Sequence, residues 1–192
     1  MSTVDRRILR SQEAIKKAFI ELMSEKNFDQ ITIQDIADRA NVNRRTIYLH
    51  YMDKFDLLDK LIEEHINELR EMCESADETD DLNAGVSWFE YFGRHYSFFS
   101  AMLASKGAPF FRSRFLEFVI EVIKDGWNIT EGKNRGLSEE VILQFFGTAY
   151  VGVVEWWFKN EMPYPPHVIQ EQVWILLDSM EKLAQFSEKE MG

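Results

Sequence analysis

The chain has one cysteine, four prolines and nine glycines among its 192 residues. A lone Cys73 excludes an intramolecular disulfide framework, so stability must come from an apolar core, for which an apolar share of 45% is ample. So little proline and glycine removes most of the punctuation that short strands and tight hairpins need. Also lacking are alternating β-branched runs, a signal-peptide pattern and an uninterrupted apolar stretch long enough to cross a bilayer. The cytoplasm is therefore the expected compartment, and no membrane is expected among the partners. Catalytic patterns are missing too: there is no HExxH and no GxSxG, and the four histidines lie far apart in the chain. Gly126 to Lys133 superficially suits a phosphate-binding loop, but it has one residue too many between its glycines, and Asn134 stands where Ser or Thr would hold magnesium. The chain is expected to be no enzyme and to need no cofactor or metal. His65 reads as a surface residue and Cys73 as a passive one.

What is present is charge, unevenly spread. The net charge is −11, yet residues 1–60 carry 11 Lys and Arg against 10 Asp and Glu, while residues 61–192 carry 11 against 23. A near-neutral head able to gather its cations on one face is joined to an acidic body. Such a body either turns the head toward a polyanion by repulsion or simply confers solubility.

Apolar residues recur at helical spacing almost throughout, which predicts an all-α fold. A first helix over 7–25 places Ile15, Ala18, Phe19, Leu22 and Met23 on one stripe, with Arg6, Arg7, Arg10, Lys16 and Lys17 on the rest of its surface. It should end near Asn27, in the left-handed conformation that asparagine tolerates. Thr32 with Asp35 makes a capping box for a short helix over 33–39 whose Ile33, Ile36, Ala37 and Ala40 face the core. Asn41-Val42-Asn43 is a tight turn, with Asn41 at positive φ and Asn43 capping a helix over 44–50 that buries Ile47 and Tyr51. A connector helix over about 54–75 carries Phe55, Leu58, Leu61, Ile62, Ile66 and Leu69. After a polar boundary at Ser75 to Asp81, helices are expected over 83–104 in two pieces, then over 109–125, 138–160 and 166–187, with Pro109 and Pro166 at helix starts.

A short helix held at a fixed angle by its neighbour can enter the major groove and offer base edges its N-terminal half. Here that half is Asn43, Arg44, Arg45 and Thr46. Arginine forks onto guanine, asparagine pairs with adenine, and the threonine methyl suits thymine. Tyr48 and His50, further along, are candidate phosphate ligands, as are Thr32 and Lys54 at helix starts where backbone N–H groups gather.

The run ITIQDIADRANVNRRTIYLHYMDKFDLL resembles the N-terminal domain of TetR-family regulators. Thr32, Ile36, Ala37, Val42, Thr46, Ile47, Tyr48, His50, Tyr51 and Lys54 occupy places common in that family. Two positions depart from it: Asn41 replaces the usual turn glycine, and Arg45 stands where a small residue is frequent. The resemblance covers about a quarter of the chain and implies a helix-turn-helix DNA-binding domain over 1–54 and a helical effector-binding and dimerisation domain over 55–192. It also implies a double-stranded DNA operator and a second copy of the chain as partners, with a small-molecule effector that releases a repressor. The alternative is a TetR-like coactivator that recruits a protein partner.

Two recognition helices one duplex turn apart, ~34–36 Å, need a dimer. The interface candidates are Phe145, Phe146, Ala149, Gly152, Val153 and Trp156 on one late helix, and Val173, Leu176, Leu177 and Met180 on the other. Gly147 and Gly152 each cost ~1 kcal/mol inside a helix, and close helix approach is a reason to keep them. The effector-pocket candidates are Trp88, Tyr91, Phe92, His95, Tyr96, Phe115, Trp127 and Tyr150, rings with polar tips set among apolar ones. A plain aromatic core is the competing reading for the same rings.

Overall fold

The computed structural model describes residues 3–77, 88–104, 108–126 and 134–185. Regular structure among them is entirely helical: α1 (Thr3–Glu25), a 3-10 turn (Phe28–Gln30), α2 (Ile33–Ala40), α3 (Arg44–Tyr48), α4 (Lys54–Asp77), α5 (Trp88–Arg94), α6 (Tyr96–Ala104), α7 (Ala108–Gly126), α8 (Glu139–Lys159) and α9 (Pro166–Gln185). Two compact units result. One holds α1 to α4, α6 and the first turn of α7; the other holds α5, the rest of α7, α8 and α9.

In the first unit α1 packs on α2 and α6. Its stripe of Ile15, Ala18, Phe19, Leu22 and Met23 is buried, as the spacing required. Each large side chain removed from water in this way contributes ~1.5–3 kcal/mol, which helices as short as α2 and α3 need because they are marginal alone. The end of α1 differs from expectation. Asn27 sits at φ −57° and ψ 135°, outside the left-handed region, and its side chain accepts from Asp29 N to cap the 3-10 turn. On α4, Leu57 is buried where Phe55 faces outward.

His65 overturns its surface reading. Only 9% exposed, it stacks on Phe98 with ring centroids 4.0 Å apart and lies 5.0 Å from His95. Burial, reinforced by the positive fields of His95 and Lys16, pushes its pKa down to about 3, so the ring is neutral near pH 7.

The second unit is organised by rings. Trp88 meets Phe118 at 5.2 Å and Tyr150 edge-on at 5.4 Å. Phe92 meets Phe115 at 5.6 Å, and Phe89 meets Trp157 at 5.3 Å. The Trp157 indole donates to the Tyr164 carbonyl at 2.8 Å, tying the end of α8 to the turn that follows. A side chain at Gly147 would come within 2.9 Å of Leu116 and 3.0 Å of Ile120. Close approach of α7 to α8 thus accounts for that glycine, whereas among the described residues nothing lies within 4 Å of where a side chain at Gly152 would begin. α8 is long and apolar enough to cross a bilayer by length and mean hydropathy alone, but half of that stretch is buried inside the protein.

This packing redistributes the body residues singled out by sequence. Phe146 and Val173 are core, not surface. Phe145 and Ala149 are exposed, as is Trp156, while Gly152, Val153 and Leu177 are half-buried. The side chain of Met180 lies outside the described residues, and so does Trp127. Among the pocket candidates, Trp88, Tyr91, Phe92, Phe115 and Tyr150 are buried in the second unit, whereas His95 and Tyr96 belong to the first. His95 stands at the break between α5 and α6, where the stretch expected in two pieces divides, and lies 4.0 Å from Glu68.

Candidate nucleic-acid interface

The turns between Asn27 and Lys54 are capped by side chains that reach two or three positions along the chain, and longer contacts from Lys26, Arg39 and Lys54 tie the segment together. Thr32 accepts from Asp35 N at 3.1 Å, and the Asp35 carboxylate accepts from Thr32 N at 2.8 Å and from the Thr32 hydroxyl at 2.7 Å. Lys26, 2.9 Å away, ties this box to the end of α1. The Lys26 and Thr32 hydrogen bonds together hold the Asp35 pKa down at about 2. Asn41 closes α2 at φ 53° and ψ 45°, the left-handed region where asparagine replaces glycine at modest cost. Asn43 then opens α3, accepting from Arg45 N at 2.8 Å. Arg39 forks onto Glu25 at 2.8 and 2.6 Å and binds α2 to α1; the pairing holds the Glu25 carboxyl below its ordinary range.

These bonds decide which candidate residues retain free polar groups. Thr32 uses its hydroxyl in the capping box. Asn43 uses its carbonyl oxygen as a cap, and pairing with adenine needs both ends of the amide. Lys54 gives its ammonium to the carbonyls of Phe28, Asp29 and Ile31 at 2.9, 3.1 and 2.9 Å, over the ring of Phe28. An ammonium has only three N–H groups, so this lysine is a staple under α4 rather than a group held out to a phosphate. The first backbone N–H groups of α4, at Phe55 and Asp56, are capped by the Asp53 carboxylate.

His50 lines an open polar cleft of about 270 Å³ with Gln12, Tyr51, Lys60, Glu63, Glu64 and Asn67. Its carboxylates make it a poor seat for a phosphate. Burial, with Glu64 and Asp56 adding to it, pushes the Tyr51 phenol up to about 12.

Arg44, Arg45 and Tyr48 remain on the exposed side of α3, with Thr46 half-buried beside them and Ile47 fully buried behind. Arg44 donates to the Tyr48 hydroxyl at 2.9 Å. Among residues 6–60, the cations with no ion-pair partner among the described residues are Arg6, Arg7, Arg10, Lys17, Arg44 and Arg45, and Lys54 with its three carbonyls. The unpaired arginines at the start of α1 are a second cationic surface. The cationic composition of α1 signalled it, but its separation from α3 in sequence kept it out of the candidate set.

Two family models match the chain. One, described as bacterial regulatory proteins of the tetR family, matches residues 15–61, and the other, a transcriptional regulator C-terminal region of the same family, matches residues 82–179. An uncharacterized HTH-type transcriptional regulator, YxbF of Bacillus subtilis (strain 168), is 40% identical over 67 residues, which are 34% of this chain and 18% of that protein. The match thus spans less than a fifth of that relative's length. Among solved structures, the dihydroxyacetone kinase operon activator DhaS superposes with a TM-score of 0.63 at 19% identity, covering 91% of this chain and 97% of that one. The regulator FadR of Bacillus subtilis, solved in complex with stearoyl-CoA, gives 0.65 at 19% identity, covering 89% and 98%. At these identities the superpositions speak for the fold.

Proposed function

The chain belongs to the TetR family of bacterial transcriptional regulators, and from that premise we propose that it binds a palindromic operator as a homodimer and represses transcription until a small-molecule effector releases it. The observation that carries the reading is the pair Arg44 and Arg45, held outward on a short helix whose leading turn is fixed by Asn41, which closes α2, and Asn43, which caps α3. A helix so held can be pressed into a groove without losing its angle.

The homodimer reading is supported by an apolar strip left on the surface of the second unit. Val141, Phe145 and Trp156 on α8, with Leu176 on α9, are each more than 40% exposed. The first three recur at helical spacing with Ala149 and Gly152 between them, which is the pattern of a face that packs on another helix. Gly152, where an added side chain would meet nothing within 4 Å among the described residues, permits close approach there. Pairing through this face presents two reading helices to one duplex and multiplies modest half-site affinities.

The effector reading is supported by Trp88, whose indole N–H, buried among phenylalanine and tyrosine rings, has no hydrogen-bond partner among the described residues. Such a donor suits a carbonyl or carboxylate on an otherwise apolar ligand. Because the FadR neighbour was solved with stearoyl-CoA, acyl-CoA thioesters are the first class to try. An effector acts by binding one separation of the two heads better than another.

The test is selection of DNA fragments by the purified protein, followed by affinity measurements on the selected operator. Arg44→Ala and Arg45→Ala should abolish or relax specific binding while helicity and oligomeric state stay as in the parent. Sequence-specific binding unchanged in both variants refutes α3 as the reading helix. Transcription that rises on operator binding moves the chain to an activator role, the one named for DhaS.

A further inference from the structure

Building on α3 as the reading helix, we infer that Tyr48 is a positioning residue that holds Arg44 ready for a guanine, so that the adjacent arginines divide the work: Arg44 reads a base and Arg45 grips the phosphate backbone. Arg44 and Tyr48 stand four positions apart, one turn along the same face of α3. The Arg44 guanidinium lies over the Tyr48 ring, 5.4 Å from its centroid, and one of its Nη2 hydrogens goes to the Tyr48 hydroxyl at 2.9 Å. Both side chains are exposed, so the brace lies on the face that a duplex would meet.

The chemistry of the guanidinium makes the brace compatible with reading. Of its five N–H groups, one bond to Tyr48 leaves a two-pronged edge free. Two parallel N–H groups are what guanine O6 and N7 accept in the major groove. A planar group already tethered beside a ring has fewer rotamers to lose on binding, so its contact is made at lower entropic cost.

Arg45 is placed differently. It lies about 100° round the helix and has neither an ion pair nor a side-chain hydrogen bond among the described residues. A cation with no brace is less suited to a fork and well suited to a phosphate, where charge matters more than angle. The Tyr48 hydroxyl, engaged with Arg44, therefore acts through the arginine rather than as a phosphate ligand of its own.

The experiment uses the full chain and an operator recovered by selection, with every base pair of one half-site replaced in turn and affinity measured across a salt series. The parent should prefer guanine at one position. Arg44→Lys, which keeps the charge and loses the fork, should lose about tenfold or more of that preference. Tyr48→Phe, which keeps the ring and loses the hydroxyl, should lose about threefold at the same position alone, with the salt slope unchanged. Arg45→Ala should weaken all sequences alike and lower the salt slope by about 0.9 per subunit.

Tyr48→Phe that leaves the guanine preference intact and lowers the salt slope overturns the brace, because the hydroxyl would then be holding a phosphate. Arg45→Ala that changes preference at a single base pair overturns the division of labour. A parent protein that selects no sequence overturns the assignment of α3 itself, an outcome distinct from the other two.

Discussion

The segment that builds the DNA-binding head and the aromatic unit that follows it are both helical, but their order comes from different ranges of interaction. Between Asn27 and Lys54 each turn is set by a side chain acting within three positions: Asn27 on Asp29, Thr32 on Asp35, Asn43 on Arg45 and Asp53 on Phe55. In the second unit the contacts join rings far apart in sequence, such as Trp88 with Tyr150 and Phe89 with Trp157. Capping terms are worth ~1 kcal/mol each and aromatic core residues several times that. The head is therefore many small local decisions, and the body a few large distant ones.

That contrast can be tested by size of effect. Trp157→Ala removes a fully buried ring and its hydrogen bond to Tyr164, and should destabilise the second unit by about 3–5 kcal/mol. Chemical denaturation followed by helicity reads the loss; a change under 1 kcal/mol would mean that no cooperative core depends on that ring.

A smaller, pH-gated effect is expected at His65. The unfolded imidazole takes up a proton below its ordinary 6.5, while the folded ring resists until about 3. Between those values the unfolded state binds more protons, so stability is lost as pH falls. The loss from this one residue reaches about 2 kcal/mol at pH 5. Denaturation at pH 7.5 and pH 5.0 should show it in the parent and not in His65→Leu, and equal slopes in both would place the sensitivity elsewhere.

The smallest effect sharpens the local side of the comparison. Thr32→Ala breaks the capping box and should cost about 1 kcal/mol. Hydrogen exchange at the first amides of α2 should rise while the second unit keeps its protection. Loss of protection in both units together would show that the head is not locally determined after all.

The same contrast explains what could be read from the residues alone. The starts of α2, α3 and α4, the capping box, the positive φ of Asn41 and the burial of Ile47 and Tyr51 all follow from short-range rules, and all are present. Lys54 shows where those rules stop. Its three carbonyl partners lie between 23 and 26 positions away, so nothing near it in sequence announces that its ammonium turns inward. His65 misled for the same reason: Phe98 and His95, which enclose it, come from beyond the next helix. Phe145 and Phe146 are adjacent and chemically alike, yet one is exposed and the other buried. Which of two neighbours faces a core depends on the helix rotation that α7 imposes through Gly147.

By itself the sequence determined an all-helical chain with a capped, cation-bearing short helix near its start, because apolar period and capping act over one or two turns. Only the tertiary structure decided which arginines stay free, which lysine becomes a staple and which rings reach the surface. Those outcomes depend on groups brought together from distant parts of the chain, and competition for hydrogen bonds and buried area is settled only once they meet.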